Sequence, residues 1–475
     1  VLSHIYYICL YMKRLFSAPT TVNFELTEIC NVKCRHCYNP WRDESMGVNS
    51  IDEKKLDRII SQFNDAKVFH VILTGGEPMS NFDILLIALK KLKENNISVS
   101  CNSNLILCDD KKAKALREAG LDHILTSFPS LDPVVNDYIM QSKNSLNKII
   151  EGIKACVRND IRVSVNMVIT RSNKKQVYDT GKFAAELGAT KFFLTRAVPP
   201  TYSQNVKLDE SNPYFITKEE TKKTLDDAIR VKNEFGIRIG SLVSYPLCFL
   251  EDLEKYKDFV GRGCPSQSGH RMSINANGDL HVCVHEEENY GNILKSSIHE
   301  VYQNNMRKWH NGQMVYKGCE GCEYIDMCSS GCQMVSVGFN GETASKDPLY
   351  VGPNNVKKHY NLQDDIKIDE IKKNITSQGE FKVLNTLRFR QEDGFYLINI
   401  RWGNSITVNN EVAEFILKYY ENGHKFTLND FPNKDYFWFL NLYLKGIFVS
   451  DEITHNADVY MQGVSANVEH LPNLD

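Results

Sequence analysis

From about residue 20 to residue 240, short apolar runs alternate with amphipathic stretches. Runs of strand character fall at 22–27, 68–74, 97–102, 123–128, 161–169 and 191–195. Between them, apolar positions recur at helical spacing over 51–63, 84–93, 111–118, 146–157 and 177–187. Six strand–helix units in series predict an α/β fold, a parallel sheet curled into a partial (β/α)6 barrel over 20–240. In such barrels the chemistry sits at the C-terminal ends of the strands.

The pattern then changes. Residues 241–350 are rich in cysteine and glycine and short of periodicity, which predicts a small core supplemented by metal. Residues 351–380 are polar and charged and read as a linker. Order returns over 381–452, with strands expected at 395–400 and 405–408 and helices at 411–420 and 434–443. The tail, 453–475, is expected to fray, and no internal repeat is visible.

Composition narrows the function classes. The 475 residues suffice for two to four domains. Net charge is −3, which gives no reason to expect nucleic acid or an anionic membrane as partner. The apolar run Ile5–Met12 is less than half the roughly 20 residues a spanning helix needs, and its basic residues follow it where a secretory signal has them in front. It reads as a barrel-capping segment or as residues ahead of a start at Met12. The expectation is a soluble, cytoplasmic protein with no membrane partner.

Fourteen cysteines change the picture. In a reducing cytosol, clustered cysteines point to metal rather than disulfides. Ten fall into short-spaced groups, while Cys9, Cys101, Cys108 and Cys156 are scattered and read as small buried hydrophobes. Directly after the first strand comes Cys30-Asn-Val-Lys-Cys34-Arg-His-Cys37. Three thiolates on one loop can hold one side of a 4Fe–4S cubane and leave its fourth iron open. The alternative is a zinc loop, which would want a fourth ligand nearby.

The Cys-x3-Cys-x2-Cys loop resembles that of the radical S-adenosylmethionine (SAM) superfamily. The resemblance implies that SAM chelates the open iron and is split by one electron to a 5′-deoxyadenosyl radical, with an external donor such as flavodoxin or ferredoxin. The hard chemistry would belong to the cofactor. His36 takes the position whose backbone meets adenine in relatives. Gly75-Gly76-Glu77-Pro78, after the second strand, matches the segment that holds the SAM amino group. Asn102, Ser127, Asn166 and Arg196 lie at the ends of the third to sixth strands, where relatives contact SAM. Each is also the kind of polar residue that caps a strand.

Past the barrel, Cys264, Cys283, Cys319, Cys322, Cys328 and Cys332 follow a spacing that resembles the SPASM domain of auxiliary iron–sulfur clusters. Asn275–Gly278 would be the hairpin turn before Cys283. The resemblance implies that Cys248, Cys264, Cys283 and Cys332 hold a first auxiliary cluster, and Cys319, Cys322 and Cys328 three irons of a second. Relatives supply a final cysteine after Cys332; this chain has none, and Tyr350 stands near its place. An oxygen ligand, an open iron or a missing cluster all stay open.

SPASM enzymes mostly modify peptides or proteins. Sulfatase maturases carry an acid–base Asp where this chain has Val284, which counts against that activity. His285, Glu286 and Glu287 read as a solvated run or as containing a proton acceptor, and no catalytic residue is singled out. Residues 390–399, 409–416 and 442–449 resemble the PqqD-like winged-helix module, which binds the leader of a precursor peptide. The leading expectation is a maturase acting on a ribosomal precursor peptide with a leader. Alternatives are an enzyme acting on a protein or small molecule, and a non-enzymatic iron–sulfur sensor, which would not need Gly75–Pro78.

Overall fold

The computed structural model describes residues 16–39, 49–200, 212–260, 263–310, 314–359, 379–401 and 404–450. Cys9, the apolar run 5–12, most of the expected linker and the tail lie outside them. The chain divides into two compact units. One comprises residues 15–251 and 258–356; the other takes 252–257 with the chain from 357 onward.

The first unit is built on a nine-stranded sheet. Strands β1 (Thr21–Thr27), β2 (His70–Gly75), β3 (Ser98–Ser103), β4 (His123–Ser127), β5 (Arg162–Ile169), β6 (Lys191–Arg196) and β7 (Arg238–Gly240) lie parallel in sequence order. Helices α1 (Glu53–Asp65), α2 (Phe82–Glu94), α3 (Asp110–Glu118), α4 (Pro133–Met140), α5 (Ser145–Arg158), α6 (Val177–Glu186) and α7 (Lys218–Phe235) connect them. All six expected strands and five expected helices are present. On the far side of β1 lies β8 (Arg271–Ile274), also parallel, hairpinned to β9 (Leu280–His281) through a turn in which Gly278 donates to Asn275. The cysteine-rich region therefore extends the barrel sheet itself. It also contributes α8 (Ile298–Asn304) and α9 (Gln333–Asn340).

Local chemistry explains the elements. Asp52 caps α1 by accepting from the Lys55 amide. Leu56, Ile59, Ile60 and Phe63 form its buried stripe, with Phe63 edge-on to Phe24 of β1 at 5.5 Å. A capping box of Thr217 and Glu220 starts α7, and Gly236 at φ +69° ends it.

Phe24 facing α1 fixes the parity of β1. Val22 and Leu26 share its face, so Thr21, Asn23, Glu25 and Thr27 line the barrel interior. That interior is unusually polar for a parallel barrel. The His70 imidazole bridges Ser98 (2.8 Å) and Ser100 (3.0 Å), and His123 pairs with Ser164 at 2.8 Å. Burial, and then the charges of Arg162, Lys191 and Arg238, push His123 down to about 3, so it is neutral.

The second unit holds the C-terminal module. Strands β11 (Arg388–Gln391), β12 (Tyr396–Arg401) and β13 (Asn404–Val408) form an antiparallel sheet, and β10 (Lys382–Val383) pairs with β14 (Phe448–Val449). Helices α10 (Asn410–Asn422) and α11 (Tyr436–Leu444) complete it around Phe381, Ile398, Ile416, Phe426, Phe439 and Phe448. The winged-helix-like expectation reduces here to that sheet, that ladder and two helices.

Candidate functional site

The loop carrying Cys30, Cys34 and Cys37 leaves the end of β1 and is tied down along its length. Gly76 donates to Thr27 O (2.7 Å) and Glu77 to Ile29 O (2.8 Å). A Cβ at Gly75 would stand 2.2 Å from Thr27 O, and one at Gly76 2.2 Å from Ile29 O. The two glycines thus admit the backbone of the cysteine loop. Asn39 donates to Gly75 O (3.2 Å), and Asn104 reaches Asn31 in the loop (2.7 Å). On the other flank, Arg35 donates to Ile139 O and Tyr138 O of α4 and stacks on Tyr138 at 4.2 Å. The Cys34 sulfur lies 3.5 Å from that of Met140. All three cysteines are half-buried, and no described cysteine forms a disulfide.

Glu77 does not present a bare carboxylate. It accepts from the Met79 amide (3.0 Å), the Ser103 hydroxyl (2.7 Å) and the Asn104 amide (2.7 Å), joining the ends of β2 and β3. Burial pushes its carboxyl up, against the pull of those donors. Pro78 opens the short turn that Glu77 caps. His36 and Asn102 are half-buried, beside the last cysteine and near the end of β3. Ser127 ends β4 in register with Asn166, which accepts from Thr195 at 2.6 Å. Asn166 does not end β5, which runs on to Ile169.

Arg196 has a different neighbour from the one expected. Its guanidinium pairs with Asp347 of the cysteine-rich region at 2.7 Å, both side chains being buried, and its Nη1 has no hydrogen-bond partner.

Sequence reading missed Glu25. Burial, then Glu28, pushes this interior carboxyl up to about 8, so it is largely protonated at neutral pH. Burial, and then the charges of Glu25, Cys37 and Cys283, push the Tyr38 phenol well up. The Tyr38 ring lies 4.6 Å from that of His285, whose Nδ1 is 3.6 Å from the Cys283 sulfur. His285 is thus no part of a solvated run; burial pushes it down to about 4. The available signal for Glu25 was the polar parity Thr21-Asn23-Glu25-Thr27 on β1.

The later cysteines form two groups, differently divided from the expectation. Cys248 lies with Cys319, Cys322 and Cys328 around a small void, also lined by Tyr324 and Tyr350. Leu247 donates to the Cys328 sulfur at 3.5 Å. Cys264, Cys283 and Cys332 form the other group, tied by Ser266 donating to Val282 O and Gln267 to Ser329 O; burial, and then the charges of Cys264 and Cys332, raise the Cys283 thiol. Cys248 comes from a helical turn, Leu247–Leu250, that sequence spacing could not orient. Burial raises the thiols of Cys264, Cys283, Cys319 and Cys322, and pushes Cys328 up to about 12 and Cys332 to about 11. Only a bound cation would make such thiolates favourable at neutral pH. Among the described residues, no three His, Cys, Asp or Glu side chains converge at single-ion spacing.

Residues 24–184 match the radical SAM superfamily model, and residues 264–324 match that of the SPASM iron–sulfur cluster-binding domain. The chain carries a radical SAM domain and a SPASM domain and is an enzyme. Such an enzyme uses a 4Fe–4S cluster with SAM and auxiliary iron–sulfur clusters, and the two fields of half-buried and buried cysteines supply a donor set of that chemistry.

The radical SAM/SPASM chain is 23% identical over 342 residues to the PqqA peptide cyclase of Bradyrhizobium diazoefficiens, covering 70% of this chain and 86% of the relative. It is 25% identical over 304 residues to the GTP 3′,8-cyclase of Aquifex aeolicus, covering 60% and 88%. Among solved structures it resembles Streptococcus suis SuiB bound to the precursor peptide SuiA, with a TM-score of 0.56, 17% identity and coverage of 73% and 77%. The likeness to SuiB is one of fold. No helix among the described residues is long and apolar enough to cross a membrane.

Proposed function

We propose that this radical SAM/SPASM enzyme acts on a ribosomally made precursor peptide and installs a crosslink or another oxidative modification. The working division is a barrel over 20–240, a SPASM region over 241–350, a linker over 351–380 and a leader-binding module over 381–452. Cys30, Cys34 and Cys37 hold the SAM-site cluster, with His36, Gly75–Pro78, Asn102, Ser127 and Asn166 around SAM. When bound, that pair supplies a 5′-deoxyadenosyl radical able to take hydrogen from an unactivated carbon.

The observation that carries the peptide reading is the C-terminal module. In its three-stranded sheet β11 and β13 are the outer strands, and an outer strand can accept an extended peptide by main-chain pairing. Relatives named for a peptide cyclase, and a fold likeness to a protein solved with its precursor peptide, support the same reading. Within the barrel, the chain's own contribution is a polar interior, a protonated Glu25 and a loop clamped at both flanks.

The test uses the product of a short reading frame beside the gene. The full chain should bind that peptide at least tenfold more tightly with its leader than without, by fluorescence anisotropy. Removal of residues 381–475 should abolish the difference while 5′-deoxyadenosine formation with SAM and dithionite persists. Equal affinity for leaderless peptide sinks the reading. It would favour a small-molecule substrate, the class for which the GTP 3′,8-cyclase relative is named.

A further inference from the structure

The missing final cysteine of the second auxiliary set is answered by the fold. Cys248 precedes the other auxiliary cysteines in sequence, yet it stands on the wall of the void with Cys319, Cys322 and Cys328. Its turn is fixed on both sides: Asn355 donates to Cys248 O (2.9 Å), and the neighbouring Leu247 amide donates to the Cys328 sulfur. Cys319 and Cys322 share one tight turn, with Cys322 N donating to Cys319 O at 3.1 Å. Tyr350, the oxygen ligand that position in sequence suggests, gives its phenol proton to Gly318 O at 2.7 Å instead.

The remaining group is held together by a separate frame. Ser266, two residues after Cys264, donates to Val282 O beside Cys283 (2.5 Å), and Gln267 donates to Ser329 O, three residues before Cys332 (3.4 Å). No further cysteine among the described residues is left for it. Cys101, Cys108 and Cys156 belong to the barrel, the last two 3.8 Å apart. What this group has instead is two guanidinium groups, Arg271 and Arg196, the latter pairing with Asp347 through its Nη2. Arg271 acts on both Cys264 and Cys283, and Cys332 acts on Arg196, whose buried Nη1 lacks a partner.

We propose that the auxiliary cysteines divide four and three. Cys248, Cys319, Cys322 and Cys328 enclose one cluster completely. Cys264, Cys283 and Cys332 hold another whose fourth iron takes an exogenous anionic donor beside Arg196 and Arg271. Four thiolates satisfy a cubane, whereas three leave one iron to a ligand that these described cysteines do not supply. A buried guanidinium nitrogen without a partner favours an anion there over a neutral donor. The proposal rests on the SPASM assignment and not on the leader-peptide reading, so leader-independent peptide binding would leave it standing.

The test is spectroscopic and needs no turnover. Full-length protein carrying Cys30→Ala, Cys34→Ala and Cys37→Ala isolates the auxiliary clusters, with cyanide as the anionic probe. In that background, removal of Cys319, Cys322 and Cys328 should leave one cluster whose electron paramagnetic resonance shifts with cyanide and ignores Cys248→Ala. Removal of Cys264, Cys283 and Cys332 should leave one cluster blind to cyanide, from which Cys248→Ala strips at least half the iron. The opposite dependence on Cys248, or cyanide acting on both clusters or neither, overturns the proposal. If the multiple variants retain no iron, single serine substitutions decide: Cys248→Ser must perturb the signal that Cys322→Ser perturbs and not that of Cys283→Ser.

Discussion

At Gly76 an added methyl group would meet the Ile29 carbonyl at 2.2 Å, and backbone cannot step aside as a flexible side chain can. Gly76→Ala should therefore displace the cysteine loop from the end of β2. A cost of about 1–3 kcal/mol is expected for such overpacking, read as a lower unfolding midpoint together with loss of SAM-site iron. A normal iron content would show that the loop does not depend on this approach. Glu25 gives a pH signature. The folded chain holds its proton to about pH 8, while an ordinary glutamate releases it near 4.5. Ionisation therefore opposes folding as pH climbs through that window, by roughly 3–5 kcal/mol in all at about 1.4 kcal/mol per unit. Glu25→Gln should match the parent near pH 4.5 and exceed it in stability by that order at pH 8–9, in denaturant titrations across pH. A constant difference at every pH would mean the carboxyl is not held neutral. The Cys30–Cys37 loop was legible because its three cysteines lie close together in sequence. Glu25 was not, because its role depends on which face of β1 turns inward, and only the packing of Phe24 on Phe63 settles that.

At the scale of elements, legibility followed length and periodicity. Helix α1 carries its apolar stripe over several turns, and strands β1 to β6 are bounded by loops with clear turn signals. Strand β7 has three residues, too few for any period, and β11 reads Arg-Phe-Arg-Gln, charged at alternate positions, although Arg390 is buried against Glu392 at 2.7 Å. The C-terminal module gets its core from aromatic rings in T-shaped contact. Phe439 is fully buried, 4.9 Å from Phe381 and 5.5 Å from Phe431. Phe439→Ala should cost about 3–5 kcal/mol. Because the module belongs to its own compact unit, the loss should appear as an early, separate thermal transition and faster proteolysis after residue 380, with iron content retained. A single transition shifted as a whole would show that the units unfold together.

Across the first unit, the contact no sequence pattern could reveal joins residues 151 positions apart: Arg196 at the end of β6 and Asp347 beyond the auxiliary cysteines. Both are buried, so the pair carries the desolvation of two ions, and breaking it leaves one uncompensated charge beside Cys332. Asp347→Asn should cost about 3–5 kcal/mol. A pair of apolar replacements, Arg196→Met with Asp347→Leu, should recover much of the loss, because neither charge is then stranded. The two variants also separate stability from cluster chemistry. If Arg196 only holds β6 against the cysteine-rich region, the double variant regains both its unfolding midpoint and its auxiliary spectra. If Arg196 also sets the field at the Cys264–Cys283–Cys332 group, the midpoint returns while the potential of that cluster stays low, since a cation that favoured its reduced form is gone. Potentiometric titration alongside thermal unfolding distinguishes the two. The arrangement of Arg196, Asp347 and Cys332 predicts the second result.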